Sequence, residues 1–283
     1  MAFIRNAFSS SFDSASFPRL ISIYQAKGKI TEMPRAMHKH AAALEIILIT
    51  DGYGIHIIDG KKYYTEQGDL LIINSETVHD EASDKNINLS IYSCALTELH
   101  LPGLPANHLI RHGQPPIIKT GASFTYLSSL MELMYEYASH NEYRTEEVTN
   151  YVLRAFVVVL YGLVQHSLVS TGTKEENELA RNIKNYVDNH YMEELKLAVL
   201  ADQFHVSTYY LSHIYKNYYG YAPMQYVMRR RVGEAQTLLI DTTMPITAVA
   251  MQVGYKSSSY FHDIFTKFTG ISPRNYRVMY HKI

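Results

Sequence analysis

Four side chains in the first eighty residues could together bind a metal ion or a small polar molecule. His38, His40 and Glu45 are closely spaced, and His79 follows in the next strand-rich stretch. Three imidazoles and one carboxylate form a donor set that suits Zn, Fe, Mn or Ni. The same groups can hydrogen-bond the hydroxyls of a polyol without a metal. A cluster with only a structural role is the third interpretation.

The elements around these side chains have the two-residue period of β-strands. We predict strands at residues 20–24, 44–50, 54–58, 70–73 and 87–93. Turn dipeptides separate several of them, at Asp51-Gly52, Asp59-Gly60 and Gly68-Asp69. Such close spacing favours an antiparallel barrel or sandwich, in which alternate residues of a strand point to one side. His56 and His112 have no partner at a matching spacing and are interpreted as ordinary polar residues.

From residue 124 the apolar period changes to three and four residues, which predicts two amphipathic helices at 124–139 and 146–165. Their apolar side chains exceed what one face of a barrel can cover, so we expect a homodimer through this hairpin. The expected contacts are Leu127, Met131, Met134, Val152 and Val159. Packing against the barrel is the alternative. Residues 167–174 have the composition of a domain linker.

Length and charge favour two domains of opposite net charge. The 283 residues exceed a typical single domain. Residues 1–173 hold 13 Lys and Arg against 17 Asp and Glu, whereas residues 174–283 hold 13 against 10. The basic C-terminal part suggests a polyanionic partner. Cys94 is the single cysteine, which excludes an intrachain disulfide and fits a reducing cytoplasm.

Targeting signals are not evident in the sequence. The longest uncharged apolar run, residues 155–164, is shorter than the roughly 20 residues that a membrane helix needs. The N-terminus does not resemble a secretory signal. We therefore expect a chain that stays in the cytoplasm and has no membrane partner.

The C-terminal part contains an internal repeat. At an offset of 49, the apolar residues Leu197, Leu200, Ala201 and Phe204 recur as Ile246, Val249, Ala250 and Val253. At an offset of 50, Leu211, Ile214, Tyr215, Gly220, Pro223 and Tyr226 match Phe261, Ile264, Phe265, Gly270, Pro273 and Tyr276. Each copy predicts a short helix, a tight turn and a second helix that ends at a glycine. A connecting helix is predicted over 224–240.

This repeat resembles the DNA-binding domain of the AraC/XylS transcription regulators, which hold two helix-turn-helix units joined by a long helix. The resemblance covers residues 183–276. It rests on Tyr210-Leu211-Ser212-His213-Ile214-Tyr215-Lys216, Arg231, Ala235, Val253-Gly254-Tyr255, Ser259-Tyr260-Phe261 and Ser272-Pro273-Arg274-Asn275-Tyr276-Arg277, with the paired glycines and prolines. It implies a regulator that binds double-stranded promoter DNA and contacts RNA polymerase.

The resemblance also implies which residues meet DNA, because the second helix of such a unit enters the major groove. Carried over by position, the base-reading residues are Tyr209, Ser212, His213, Ser258, Ser259 and His262. The cations expected at phosphates are Lys216, Lys267, Arg229 and Arg230, with only one or two contacts from the run that ends at Arg231. Arg231 has a structural role as its alternative. No Arg stands at the base-reading positions, so readout would depend on hydroxyls, methyl contacts and DNA shape.

The N-terminal histidines are spaced similarly to the two metal motifs of cupin barrels. Glu32, Asn74 and Glu76 depart from those motifs, which have Gly, Pro and Gly there. AraC-type regulators commonly carry a cupin-like sensing domain whose cavity binds an effector, often a sugar. The resemblance therefore implies a small-molecule effector, with a divalent metal as a possible cofactor, at His38, His40, Glu45 and His79.

Together these features predict an α+β multidomain fold with an antiparallel β-barrel, a helical hairpin and an all-α double helix-turn-helix. The predicted divisions are a cupin-like sensing barrel at 1–120, a dimerisation hairpin and linker at 121–173, and a DNA-binding domain at 174–283. We interpret the chain as a ligand-responsive transcription regulator and not an enzyme. The alternative is a metal-dependent cupin enzyme with a C-terminal interaction domain.

Overall fold

The computed structural model describes residues 10–12, 17–27, 36–80, 89–140, 144–167 and 178–280. Its N-terminal part is an antiparallel sheet whose main path has the order β1-β6-β2-β4-β7, and both β3 and β5 pair with β2. The strands are β1 Arg19–Ala26, β2 Leu44–Ile58, β3 Lys61–Glu66, β4 Asp69–Ile73, β5 His79–Asp80, β6 Leu89–Thr97 and β7 Ile117–Lys119. The sequence did not predict β3, β5 or β7, which are short or carry mostly polar residues.

Strand β2 runs through the predicted turn at Asp51-Gly52, so the prediction of two strands there is wrong. The pairing of β2 with β6 shifts register between Ile49 and Asp51, and Gly52 has a φ of 81°. A bulge with a glycine of positive φ bends a strand without ending it. Asp51 and Gly52 still pair with β6, and from Tyr53 onward β2 pairs with β3 and β5 instead. The predicted turn at Asp59-Gly60 does form, with positive φ at both residues.

Helices α1 (Phe124–His140) and α2 (Thr145–Ser167) form the predicted hairpin and pack on the sheet. Leu127, Met131 and Met134 are fully buried in one core with residues of β2 and β6. The prediction that these three form dimer contacts is therefore wrong, because the sheet and α2 already cover them. Residues 145–165 of α2 are long and apolar enough to cross a membrane by length and composition, and a third of the most apolar part of this stretch is buried within the protein.

The C-terminal part is all-helical among the described residues. Its helices are α3 Glu178–His190, α4 Leu197–Gln203, α5 Thr208–Tyr219, α6 Pro223–Asp241, α7 Ile246–Gln252, α8 Ser258–Thr269 and α9 Pro273–Tyr280. The two repeats coincide with α4–α5 and α7–α8, and α6 connects them as predicted. Both α5 and α8 end at a left-handed glycine, Gly220 and Gly270.

The fold class predicted from the sequence is thus confirmed. The predicted linker at 167–174 lies outside the described residues except for Ser167, and the proposed domain limits remain predictions. The two parts of the chain share apolar cores: Met37, Ile57 and Val78 of the sheet domain pack with the core of α3, α4 and α5. Ala36 packs with the core of the second repeat.

Candidate sensing site and nucleic-acid interface

The four metal-type side chains converge in the structure as their spacing suggested. One donor atom from each of His38, His40, Glu45 and His79 lies within 4.8 Å of the others. His79 Nε2 is 3.0 Å and His40 Nε2 is 3.5 Å from Glu45 Oε2. His40 is partly exposed, whereas the other three are buried. We call these four residues the histidine cluster.

Two backbone carbonyls fix the orientation of two of the imidazoles. Nδ1 of His38 lies 3.2 Å from the carbonyl of Ala36, and Nδ1 of His79 lies 3.1 Å from that of Thr77. A carbonyl oxygen only accepts, so each Nδ1 donates its proton. In the neutral ring Nε2 then carries a lone pair. For His79 this lone pair would face the carboxylate of Glu45, so the contact requires either a second proton on the ring or a cation between the two groups.

Glu45 is held in its charged form. Burial alone would raise the pKa of Glu45, but hydrogen bonds from His40 and His79 and the charges of His79 and His38 hold it well below its usual range. Ser93 also donates its hydroxyl proton to Glu45 Oε1 at 2.7 Å. An ionised carboxylate with an outer hydrogen-bond donor and imidazoles oriented by carbonyls has the surroundings common around metal ligands. The residues present therefore fit a divalent metal.

His56, interpreted from the sequence as ordinary, is buried near the cluster. Burial lowers the pKa of His56 to about 4, and the positive charge on His79 adds to the shift. Nε2 of His56 and Oγ1 of Thr65 are buried and have no hydrogen-bond partner among the described residues. A Cβ on Gly54 would lie 2.9 Å from the first atom and 3.2 Å from the second. In the sequence, this arrangement could have been inferred from the spacing of Gly54 and His56, which lie two residues apart on β2 and therefore on one face of the strand.

The second helix of each helix-turn-helix unit, α5 in the first and α8 in the second, has an exposed N-terminal half. Ser207 and Ser257 cap them in the same way, each accepting from the amide three residues on. Of the predicted base-reading residues, Tyr209, His213, Ser258, Ser259 and His262 are exposed and Ser212 is half-buried. Asn217 was not predicted to contact DNA. Its Nδ2 lies 3.1 Å from Nδ1 of His213, four residues earlier on the same face of α5.

The predicted phosphate contacts have different surroundings. Lys216 and Lys267 are exposed. Arg229 pairs with Asp80, and Arg230 is only 2% exposed. Arg230 can reach a phosphate only in an arrangement other than this one. Arg231 donates to the carbonyls of Tyr191 and Glu193, both at 2.6 Å, which agrees with its structural alternative.

Family models match both parts of the chain. The model of the AraC-like ligand binding domain matches residues 28–152, and that of a helix-turn-helix domain matches residues 200–279. The chain belongs to the AraC family of transcription regulators. It is similar over 242 residues to the uncharacterized HTH-type transcriptional regulator YdiP of Escherichia coli (strain K12), with 26% identity over 85% of this chain and 80% of the relative.

Other relatives are similar to this AraC-family chain. The HTH-type transcriptional activator RhaS of Enterobacter sp. (strain 638) is 24% identical over 82% of this chain and 84% of its own. The solved C-terminal domain of AraT, a response regulator from Geobacillus stearothermophilus, is 30% identical over 39% of this chain and 92% of that chain, with a TM-score of 0.38.

The AraC-family chain is accordingly a DNA-binding transcription regulator with a ligand-binding domain. The relatives that match over most of this chain are transcription regulators and not enzymes, so the alternative of a metal-dependent cupin enzyme is set aside. The expectation that the chain is not an enzyme is confirmed by these relatives.

Proposed function

We propose that this regulator senses a small molecule at the histidine cluster and responds by changing its binding to promoter DNA. The observation that carries the proposal is the convergence of four polar donors, three of them buried, inside the domain matched by the ligand-binding model. A buried carboxylate such as Glu45 is costly unless it is paired or coordinates a metal, and the imidazoles around it offer both kinds of partner.

A divalent transition metal at the cluster is the form of this proposal that the local hydrogen bonds favour. Donation from Nδ1 to backbone carbonyls leaves Nε2 of His38 and His79 as the ligand atoms, facing an ionised Glu45. A metal would replace the second proton that the contact between His79 and Glu45 otherwise needs. The metal would supply a fixed positive charge to which the oxygen atoms of an effector, a polyol included, could bind.

Recognition of DNA is assigned to α5 and α8. Tyr209, Ser212 and His213 would read one stretch of major groove, and Ser258, Ser259 and His262 the next. Exposed Lys216 and Lys267, one on each of these helices, would contact phosphates. Arg229 and Arg230 would join them in a second arrangement of the chain, and a further surface would contact RNA polymerase.

We propose a cytoplasmic homodimer formed by the outer face of the hairpin. Apolar side chains remain exposed there after α1 and α2 have packed on the sheet: Tyr126, Leu133, Tyr151, Val158 and Val159. A symmetric pair of hairpins would cover them. In this scheme residues 1–120 sense, 121–173 dimerise and connect, and 174–283 bind DNA.

The DNA-binding part is tested by salt-dependent binding of the full chain to duplex DNA. Replacing Lys216 and Lys267 with Ala should weaken binding to every sequence and flatten the slope of log K against log salt by about two. The matched control replaces Lys27 and Lys62, which are exposed on the sensing domain, with Ala. If both double variants lose the same affinity for DNA, the proposed phosphate contacts of Lys216 and Lys267 are contradicted.

A further inference from the structure

The two helix-turn-helix units, α4–α5 and α7–α8, have separate apolar cores. Tyr226 and Val227, near the N-terminal end of α6, are part of the core of the first unit. Residues from the C-terminal half of α6 are part of the core of the second unit: Val232, Ala235 and Leu239. Long helices commonly curve, so a helix shared by two cores does not by itself hold the units at one angle.

A second connection is made by residues 191–194, which join α3 to α4 and begin in the core of the first unit. They lie directly against Gly254, on the turn between α7 and α8. A Cβ added to Gly254 would lie 2.5 Å from the carbonyl oxygen of Met192 and 2.9 Å from its carbonyl carbon. A side chain at position 254 would therefore force the two units apart.

Arg231 of α6 contacts both sides of this connection. Its Nε and Nη2 donate to the carbonyls of Tyr191 and Glu193, both at 2.6 Å. Its guanidinium also lies 5.2 Å from the ring of Tyr255, which follows Gly254 on the turn of the second unit. Hydrogen bonds from a charged donor are among the stronger ones in proteins. Arg231 thus holds the backbone of one unit and an aromatic ring of the other.

An ion pair on the surface completes the connection. Lys256 Nζ lies 2.5 Å from Glu194 Oε2, and both side chains are exposed, so this pair adds little to stability. We call the contacts made by residues 191–194, Arg231 and residues 254–256 the inter-unit clamp. It joins the two units in addition to the helix that they share.

The equivalent turn of the first unit does not require glycine. His205 stands 49 residues before Gly254, at the same position of the repeat, and is exposed with a φ of 53°. Histidine is among the residues that adopt a positive φ more readily than others. The turn of a unit therefore accepts a side chain when it faces solvent. At Gly254, the carbonyl of Met192 occupies the place of that side chain.

We propose that the inter-unit clamp fixes the distance between the two DNA boxes that the protein accepts. Gly254 and Arg231 are then specificity-determining residues, although neither reads a base. This rests on the proposed function, in which α5 and α8 read successive stretches of major groove. Adding one base pair between the boxes moves one of them by about 3.4 Å along the duplex and by about 35° around it. A rigid pair of units cannot follow that movement, whereas a pair joined by α6 alone can.

Gly254→Ala tests this, with Gly220→Ala as the matched control. Both glycines have a left-handed φ, 93° and 84°, so alanine strains the backbone at either position. A Cβ on Gly220 has no atom within 4 Å, so only Gly254→Ala also displaces Met192. The full-length proteins are compared on three duplexes: one selected by the wild type from a random library, and two that have one base pair added or removed between its boxes.

The wild type and Gly220→Ala should bind the selected duplex about tenfold or more tightly than either altered one, because a rigid pair loses contacts in one box. Gly254→Ala should bind all three within about threefold, because its units can adjust to each spacing. The ratio is taken on one protein preparation, so an unfolded fraction lowers all three affinities equally and leaves the ratio unchanged. A folded Gly254→Ala protein that keeps the wild-type ratio would overturn the proposal.

Arg231→Lys weakens a different part of the inter-unit clamp. Lysine keeps the positive charge but cannot reproduce the two directed hydrogen bonds of a guanidinium. It should reduce the discrimination between the duplexes in the same direction, which keeps the test decisive should Gly254→Ala fail to fold.

Failure of the spacing proposal is distinguishable from failure of the proposed function. If the wild type selects no sequence, and none of the variants binds any duplex, the proposed DNA-reading function fails. If the wild type selects two boxes but binds all three duplexes equally, or if both clamp variants keep its discrimination, only the role of the inter-unit clamp fails.

Discussion

His79 Nε2 lies 3.0 Å from Glu45 Oε2, although His79 pairs with Ile58 at one end of β2 and Glu45 stands at the other end. A straight strand from Glu45 to Ile58 would be about 40 Å long. The two residues meet because β2 bends at the bulge between Ile49 and Asp51 and passes from one set of partners to another. The histidine cluster thus depends on a backbone irregularity in a single strand.

The first prediction concerns binding at the cluster. His79→Ala should abolish the binding of Zn²⁺, used as the probe metal, because it removes a buried ligand whose Nε2 is oriented by Thr77. Wild-type affinity should fall below about pH 6, where imidazoles protonate. Titration calorimetry with parallel thermal melts measures both. The control is His112→Ala, an exposed position; Zn²⁺ binding by a folded His79→Ala protein equal to that of the wild type would contradict the assignment.

The second prediction concerns stability in acid. The pKa of His56 is about 4 in the folded chain against 6.5 for the ordinary residue, so folding favours its neutral form. Above pH 6.5 His56 is neutral in both the folded and the unfolded chain and costs no stability. As the pH falls toward 4, the unfolded chain binds a proton on His56 that the folded chain does not, so the folded chain loses stability. Between pH 7 and 4.5, the wild type should therefore lose about 2 to 3 kcal/mol more than His56→Gln.

Urea unfolding with a chelator present measures this difference. The exposed His112→Gln variant should follow the wild type. If His56→Gln shows the same acid sensitivity as the wild type, His56 is not held neutral by burial.

The third prediction concerns base reading. His213 and His262 lie on equivalent helices of the two repeats, and both are exposed. His213→Ala should change the preferred sequence in one part of the binding site only, with a penalty of about 1 to 3 kcal/mol. His262→Ala should change the other part. Sequencing of duplexes selected by each variant is the measurement, and a variant that returns the wild-type motif is not a reader.

The fourth prediction concerns association. Val158→Asp places a charge on the exposed apolar face of α2 and should convert a dimer into a monomer, because an unpaired charge is costly in an apolar interface. Sedimentation velocity at micromolar concentration is the measurement. Val278→Asp makes the same change at an exposed position of α9 and should leave the dimer intact. If Val158→Asp is still a dimer, the interface does not include this face of α2.

Local patterns in the sequence were sufficient to predict the helical repeats. The offset of 49 to 50 residues and the paired glycines identify two units, since a helix C-cap needs the positive φ that Gly220 and Gly270 adopt. The spacing of His38, His40, Glu45 and His79 likewise indicated one cluster. In each case the prediction rests on residue types with a specific role: glycine at the end of a helix, and histidine and glutamate as donors to a shared ligand.

Contacts between distant segments could not be predicted in this way. Gly233 looks like a weak point in a helix until Met37 is placed against it, and Arg230 looks like a solvated charge until Asp188 and the Met37 carbonyl enclose it. The buried faces of Leu127 and Met131 were assigned to a partner subunit because amphipathicity does not say what covers an apolar face. These features depend on how the two parts of the chain meet.

The most direct test of the account is selection of binding sites by the full-length wild type from a random duplex library. Two helix-turn-helix units joined by α6 should read two successive major grooves on one face of the duplex, about 34 Å apart. The account predicts an enriched motif with two boxes centred about 10 bp apart. A library that shows no enriched sequence, or a single box unaffected by changes in α8, would contradict it.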